Sequence, residues 1–401
     1  MSLLTQNKGA MPLLMFNIFL AFSGIGLVIP IMPTYMHELG ITGSTVGLLV
    51  ATFAFTQFIA SPYTGAWSDQ YGRKRMIVIG MSIFSVSELI FGLANGMELL
   101  FFARVLGGVS AACITPSIMA YVADITTEHD RGKGMGWIGA AISTGFIIGP
   151  GVGGILADYG IRTPFFVAAA AAGVAAIFSV LFLPESLDQE KQMLARSKPK
   201  VKQSQLQDLL LSFRTPYFLG LLIILITSLG LSQFETVLGL YMDEVFGYTP
   251  KQIAMVIVIG ASVGAFMQLT LFGALVNRIG EKRLISYSLF LATVFIVMTL
   301  FSKQYWMVIL STSVFFLAID FVRPAVTTMF SKVADNEQGF VAGLNSSYTS
   351  MGNILGPSFA GFLYDVHKTW PFIIGGVILF IGLLVSVYWK RLGERVTVDA
   401  K

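Results

Sequence analysis

Hydrophobic and polar positions alternate along this chain on the scale of whole segments. A hydrocarbon core roughly 30 Å thick needs about 20 apolar residues of helix. Such runs recur twelve times, centred near residues 24, 56, 86, 110, 146, 172, 229, 263, 293, 317, 351 and 380. They are continuous and lack the period-two alternation of a barrel wall, which excludes a membrane β-barrel. The pattern predicts an all-α integral membrane protein of twelve transmembrane helices. The first run, Met11 to Met36, is too long for a cleaved signal peptide and reads as the first span.

Polar positions inside the runs are few: Glu88, Arg104, Glu235, Asp320 and Arg323 are ionisable. Even low insertion scales assign about 2.5–3.5 kcal/mol to an Asp or Arg at the centre of a span. Each is therefore a functional candidate that faces the protein interior. Glu88 reads best as a structural partner. Arg104, beside Gly107 and Gly108, suits a counter-ion or proton-relay role as well as a structural one. On the seventh span Ser228, Ser232, Glu235 and Gly239 share one stripe, and on the tenth Ser313, Phe316, Asp320, Arg323 and Thr327 do the same. Ser346, Ser350, Asn353 and Pro357 form a third on the eleventh. The three stripes are expected to face a common interior. Pro324 has no N–H for the carbonyl of Asp320, so the tenth span should loosen or bend there and leave a free acceptor.

Composition sharpens this picture. Of 401 residues 55% are hydrophobic and 12% charged, against about 25% charged in a soluble domain. Mean hydropathy is +0.75 and the pI is near 9.0, but the excess of basic residues is topological. With the N-terminus inside, the expected cytoplasmic segments hold 20 of 26 Lys and Arg, the outer loops hold Arg162, Lys251, Lys303 and Lys368, and the spans hold Arg104 and Arg323. That asymmetry puts both termini in the cytoplasm and leaves no reason to invoke nucleic acid. Cys113 is the only cysteine, which precludes an intramolecular disulfide. His37, His129 and His367 fall in or beside loops without i,i+4 pairing, so no metal site is expected.

The chain also repeats itself. "GAWSDQYGRKR" (65–75) returns as "GALVNRIGEKR" (273–283), "GFIIGPGVGG" (145–154) more loosely as "SMGNILGPSFAG" (350–361), and "YVAD" (121–124) as "KVAD" (332–335). Two six-helix bundles follow, 1–184 and 215–401, joined by a charged, Gln-rich cytoplasmic connector at 185–214 that reads as an inert tether. Parallel repetition of a six-helix unit suits a transporter whose halves rock around a site at mid-membrane.

Two motifs carry local physics. In "GAWSDQYGRKR", Gly65 would permit close helix contact and Gly72 the left-handed geometry of a tight turn. Asp69 would accept charge-assisted hydrogen bonds from basic residues in this or a neighbouring loop, as a cytoplasmic latch. Asn277 in the second copy makes any such latch asymmetric. In the fifth span Gly145, Gly149 and Gly153 form a small-residue face for close packing, and Pro150 breaks one backbone bond.

These stretches resemble the major facilitator superfamily: the loop after the second helix, the fourth-helix "RVLGGVSAA", and the fifth-helix antiporter motif in "GFIIGPGVGG". "FNIFLAFSGIGLVIP", "FSVSELIF", "LSQFETV", "DFVRPA" and "GLNSSYTSMGNILGP" narrow the resemblance to the NorA and Bmr group of drug:proton antiporters of Gram-positive bacteria. It covers nearly the whole chain, although Trp67-Ser68 replaces the more usual Leu-Ala before Asp69. It implies a plasma-membrane efflux transporter with Glu235 and Asp320 as the proton-coupling acids and Arg323 as the neighbouring base. It also implies that Phe16, Phe53, Gln57, Phe316 and Asn353, with the two acids, line a cavity for lipophilic, often cationic drugs such as dyes, quaternary ammonium compounds and fluoroquinolones.

The expected partners are such drugs, protons and the lipid bilayer. No cofactor is needed, because the proton gradient drives exchange, and a monomer suffices. The rival reading is a proton-coupled nutrient symporter of the same fold, which the antiporter-type motif and the Phe-rich cavity disfavour. No nucleotide loop, metal cluster or nucleophile–base pair supports an enzyme.

Overall fold

The computed structural model describes residues 9–197, 205–213, 215–333 and 338–399. Among them, fifteen α-helices account for nearly all regular structure. Twelve are long: α1 (Ala10–Leu27), α3 (Gly43–Tyr71), α4 (Arg73–Leu93), α5 (Met97–Ile125), α6 (Glu128–Leu156), α7 (Thr163–Phe182), α10 (Phe218–Phe246), α11 (Pro250–Ile279), α12 (Glu281–Phe301), α13 (Tyr305–Val333), α14 (Gln338–Val366) and α15 (Trp370–Asp399). Each contains one of the expected span centres, apolar side chains from Phe55 to Phe380 are exposed on their surfaces, and eleven are long and apolar enough to cross a membrane. The exception, α14, is diluted by Asn345, Ser346, Ser347, Thr349, Ser350 and Asn353.

The first apolar run is not one helix. It breaks at 28–31, next to Pro30 and Pro33, and resumes as the short α2 (Met32–Leu39). The connector is partly helical. Its described residues form α8 (Gln189–Ser197) and α9 (Gln205–Ser212). Arg196 Nε donates to the Gln70 carbonyl at 2.9 Å, and its guanidinium lies over the Tyr71 ring at 5.2 Å, so α8 is docked on the end of α3. Residues 198–204 of the connector, and Ala334 and Asp335 of the "KVAD" echo, lie outside the described residues.

The chain divides into two compact units: 1–41, 52–201 and 249–255 form the first, and 42–51, 202–248 and 256–401 the second. In unit 1, α1 packs on α6, and α4 on α5 and α7. Its core holds Leu14, Ile18, Ile77, Met81, Ile114 and Ile118. Asn17 Nδ2 donates to Ser179 Oγ at 2.8 Å inside that core, a polar tie from α1 to α7. The expected small-residue face is there: a Cβ at Gly145 or Gly153 would lie 2.7 Å from the carbonyl oxygens of Phe19 and Leu27, and at Gly149 it would overlap that of Ser23. Pro150 is accommodated within a continuous α6. The contact expected at Gly65 is absent, since a Cβ there would meet nothing within 4 Å.

In unit 2, α10 packs on α14 and α15, and α12 on α13 and α15. Phe234, Phe315 and Phe372 form its aromatic centre, with the Phe234 and Phe315 centroids 4.2 Å apart. The unit also takes in the first turns of α3, where the Asp365 carboxylate accepts from the Gly43 and Ser44 N–H groups at 2.7 and 2.9 Å. That carboxylate satisfies donors a helix start leaves open.

Candidate substrate and proton-coupling site

Asp320 stands on α13, and α11 is shaped around it. Gly260, Gly264 and Gln268 recur every four residues on α11, opposite Thr312, Phe316 and Asp320 at the same interval on α13. A Cβ at Gly264 would lie 2.5 Å from Asp320 Oδ2, and at Gly260 2.9 Å from the Phe316 ring. Gln268 Nε2 donates to the Asp320 carbonyl at 3.1 Å. That carbonyl is the one Pro324 cannot serve, so the acceptor expected to be free is taken by a neighbouring helix. The expected loosening does not interrupt α13, which runs unbroken through Pro324. Sequence reasoning passed over Gln268 because it is neutral; the recurring interval Gly260, Gly264, Gln268 was the available signal.

Glu235, on α10, and Arg323, on α13, complete an ionic group in which Asp320 and Arg323 both act electrostatically on Glu235, and both acids act on Arg323. Glu235 and Asp320 are half-buried, whereas Arg323 is exposed. Unit 2 thus brings together two acids and one base on membrane-length helices, with one negative charge in excess when both acids are ionised. Parts of the polar stripes around them are taken up in packing between helices. Ser228 is buried beneath Gly352 and Ser313 is buried with an unpaired Oγ. Ser232 Oγ donates to Asn353 Oδ1 at 2.8 Å, which ties α10 to α14. Phe316 is 6% exposed and packs edge-on to Phe234 at 6.0 Å.

Three expected cavity residues belong to unit 1. Phe16 on α1 is 45% exposed. Phe53 and Gln57, on α3, are half-buried where α3 crosses α5 at Gly107 and Gly108; a Cβ at Gly108 would lie 2.5 Å from the Phe53 carbonyl and 3.0 Å from the Gln57 nitrogen. Arg104 lies one turn before Gly108 and is buried, its guanidinium carbon 4.5 Å from the centroid of Phe91.

The loop motif is a network within unit 1. Gly72 adopts φ +105°, which a side chain would strain, and begins α4. Asp69 pairs with Arg73 at 2.5 Å within its own motif. Arg73 also bonds Asp124 Oδ2 at 3.3 Å and Ser68 Oγ at 3.2 Å. Glu185 Oε1 accepts from the Arg73 N–H at 2.8 Å, an anion where the helix dipole favours one. Asp124 and Glu185 as partners escaped the sequence reading, because they lie 51 and 112 residues from Arg73.

An ionic cluster set on twelve long, mostly apolar helices defines a polytopic, all-helical membrane protein. The Major Facilitator Superfamily model matches residues 14–271 and 246–400, so the chain belongs to that family of transporters. It is 47% identical over 388 residues, 97% of each chain, to "Multidrug resistance protein 2" of Bacillus subtilis strain 168. To "Quinolone resistance protein NorA" of Staphylococcus aureus strain MSSA476 it is 39% identical over 386 residues, 94% of this chain and 96% of that one. The fold is similar to the crystal structure of a bacterial homolog of the human lysosomal transporter Spinster, with TM-score 0.77 at 15% identity over 95% and 96% of the two chains.

Proposed function

We propose that this protein is a multidrug efflux antiporter that exchanges protons for lipophilic, often cationic compounds by alternating access. The observation that carries the reading is the group of Glu235, Asp320 and Arg323 on membrane-length helices of unit 2. The names of its relatives, a multidrug resistance protein and a quinolone resistance protein, support drugs as the cargo. Burial penalises a charged carboxylate and a nearby guanidinium favours it. An acid that passes between a wetter and a drier setting beside Arg323 can therefore take up a proton on one side and release it on the other. One charge crossing 100 mV gains roughly 2.3 kcal/mol. At about 150 mV a single proton then supplies about 3.5 kcal/mol, enough for a several-hundred-fold concentration ratio.

In this reading Glu235, Asp320, Arg323 and Arg104 couple protons, and Phe16, Phe53, Gln57, Glu235, Phe316, Asp320 and Asn353 receive the drug. Asp69, Gly72, Arg73, Gly145, Gly149, Pro150, Gly153 and Pro324 serve gating and packing. The two halves, 1–184 and 215–401, are joined at 185–214, and both termini lie in the cytoplasm of a bacterial cell. The protein works as a monomer, without a cofactor and without enzymatic chemistry. The test is reconstitution into liposomes with an imposed pH gradient and a fluorescent lipophilic cation. Glu235→Gln and Asp320→Asn should each impair gradient-driven accumulation. Full coupled transport in the double variant would overturn the carboxylate assignment, and movement of cation in the same direction as protons would make the protein a symporter.

A further inference from the structure

Glu88 is the buried acid that this mechanism leaves unused. Among the described residues three charged side chains are buried: Arg73, Glu88 and Arg104. Arg73 is bonded to Asp69, Asp124 and Ser68. Glu88 and Arg104 are different, for Glu88 Oε2 and Arg104 Nε are both buried without a hydrogen-bond partner.

Their placement is built. Ser87 Oγ donates to the Ala103 carbonyl at 2.8 Å, which fixes α4 against α5 one residue before both charges. Gly107 admits this approach, since a Cβ there would come within 3.1 Å of Ser87 Oγ. Glu88 and Arg104 act on each other electrostatically. Phe91, one turn after Glu88 on α4, puts its ring under the guanidinium.

Every element packed on α4 is accounted for around Glu88. From α5 the facing charge is Arg104. From α2 the facing titratable group is the uncharged phenol of Tyr35, which also lies in the field of Arg162 and Glu38. α1 and α7 contain no ionisable residue.

An ion pair kept for stability gains most when donors and acceptors are fully matched. Glu88 and Arg104 form no direct salt bridge, and each keeps a buried polar atom unmatched, an oxygen on one side and a nitrogen on the other. We infer that Glu88 is a second proton-carrying site, in unit 1, with Arg104 as its counter-ion and Phe91 as the surface that holds the guanidinium when the carboxyl is neutral. Protonation puts an O–H on the carboxyl and turns a neutral pair into a single cation, which an aromatic face accommodates.

Its depth suits the role. Glu88 is five residues from the end of α4, about 7–8 Å along the axis. With Arg73, Lys74 and Arg75 on the cytoplasmic side, that end faces outward, where an exporter takes up its protons. The inference rests on the antiport reading above.

The experiment counts protons. Purified full-length protein in detergent and weak buffer is titrated with tetraphenylphosphonium, and a pH indicator reports protons released per cation bound across a pH series. The wild type should release protons, E88Q should release measurably fewer, by at most one, over part of the range, and E88D should keep the wild-type maximum with its release profile displaced along the pH axis. A wild-type count in E88Q, with a lowered count in E235Q or D320N, overturns the role of Glu88 and leaves the antiport reading standing. Cation binding without proton release from the wild type at any pH overturns both. Should E88Q not fold, E88D decides: a release profile displaced along the pH axis supports the site, and an unchanged profile overturns it.

Discussion

Removing the Gln268 side-chain donor should expose what Pro324 does to α13. Gln268 Nε2 serves the Asp320 carbonyl at 3.1 Å, and residue 324, four positions on, has no N–H to offer. In Gln268→Leu that carbonyl loses its donor while the site stays close in volume. A polar group left unsatisfied costs about 1–3 kcal/mol. Pro324→Ala restores an N–H at the helical position, so the same Gln268→Leu change made on that background should cost less than about 1 kcal/mol. The four proteins form a double-mutant cycle with an expected coupling of at least about 1 kcal/mol, within the usual range for residues sharing a partner. Equilibrium unfolding in mixed micelles, followed by circular dichroism, measures it. Additivity to within about 0.5 kcal/mol, the behaviour of independent sites, would refute the claim that the glutamine substitutes for the missing backbone donor.

Two further pairs of variants test packing and charge. Gly149→Val would drive a side chain into the Ser23 backbone and should destabilise the protein by about 1–3 kcal/mol. Gly65→Ala meets open space inside a helix and should stabilise by up to about 1 kcal/mol; the same unfolding assay separates the two signs. Arg73→Ala strips charged partners from Asp69 and Asp124. Because Asp69 is 55% exposed and Asp124 only 23%, most of the expected loss of about 1–3 kcal/mol belongs to Asp124. Asp69→Ala, losing an exposed pair, should therefore cost less than about 1 kcal/mol in that assay.

The spans were legible because crossing a membrane imposes one length, and twelve runs of that length are hard to misread. Their interruptions were less so. Pro30 and Pro33 signalled the break after α1, but the apolar run continues across it and hides the turn. Asp320 and Arg323 stood out because charge in a span is costly, whereas Gln268 carries no charge and its value lies in one backbone carbonyl on another helix. Asp124 and Glu185 looked like ordinary polar ends of segments, and only folding brings them to Arg73. Phe316 was legible as a member of the Asp320 face, but its burial against Phe234 depends on three helices meeting. The connector was charged and Gln-rich, and its docking rests on Arg196 finding Gln70 and Tyr71.

The loose repeat turns out to be a repeat of backbone contacts. A Cβ at Gly145 would crowd the Phe19 carbonyl and Ser23 nitrogen, and one at Gly149 the Ser23 carbonyl. In unit 2, a Cβ at Gly352 would crowd the Leu225 carbonyl and Leu229 nitrogen, and one at Gly356 the Leu229 carbonyl. The partners are again spaced by four, on α1 in one unit and α10 in the other, and each second glycine precedes a proline. Gly72 and Gly280 likewise share positive φ at the starts of α4 and α12. Such positions demand only the absence of a side chain, so two copies can satisfy them while the surrounding sequence drifts. Charge does not follow the repeat: Asp69 has Asn277 as its counterpart. Unit 1 places Glu88 and Arg104 on α4 and α5, and unit 2 places Glu235, Asp320 and Arg323 on α10 and α13. Packing variants at Gly149 and Gly356 should therefore perturb the units alike, whereas neutralising an acid in one unit has no equivalent in the other. A duplicated scaffold with unequal charges can bind protons at two places under different electrostatic control, which identical halves could not do.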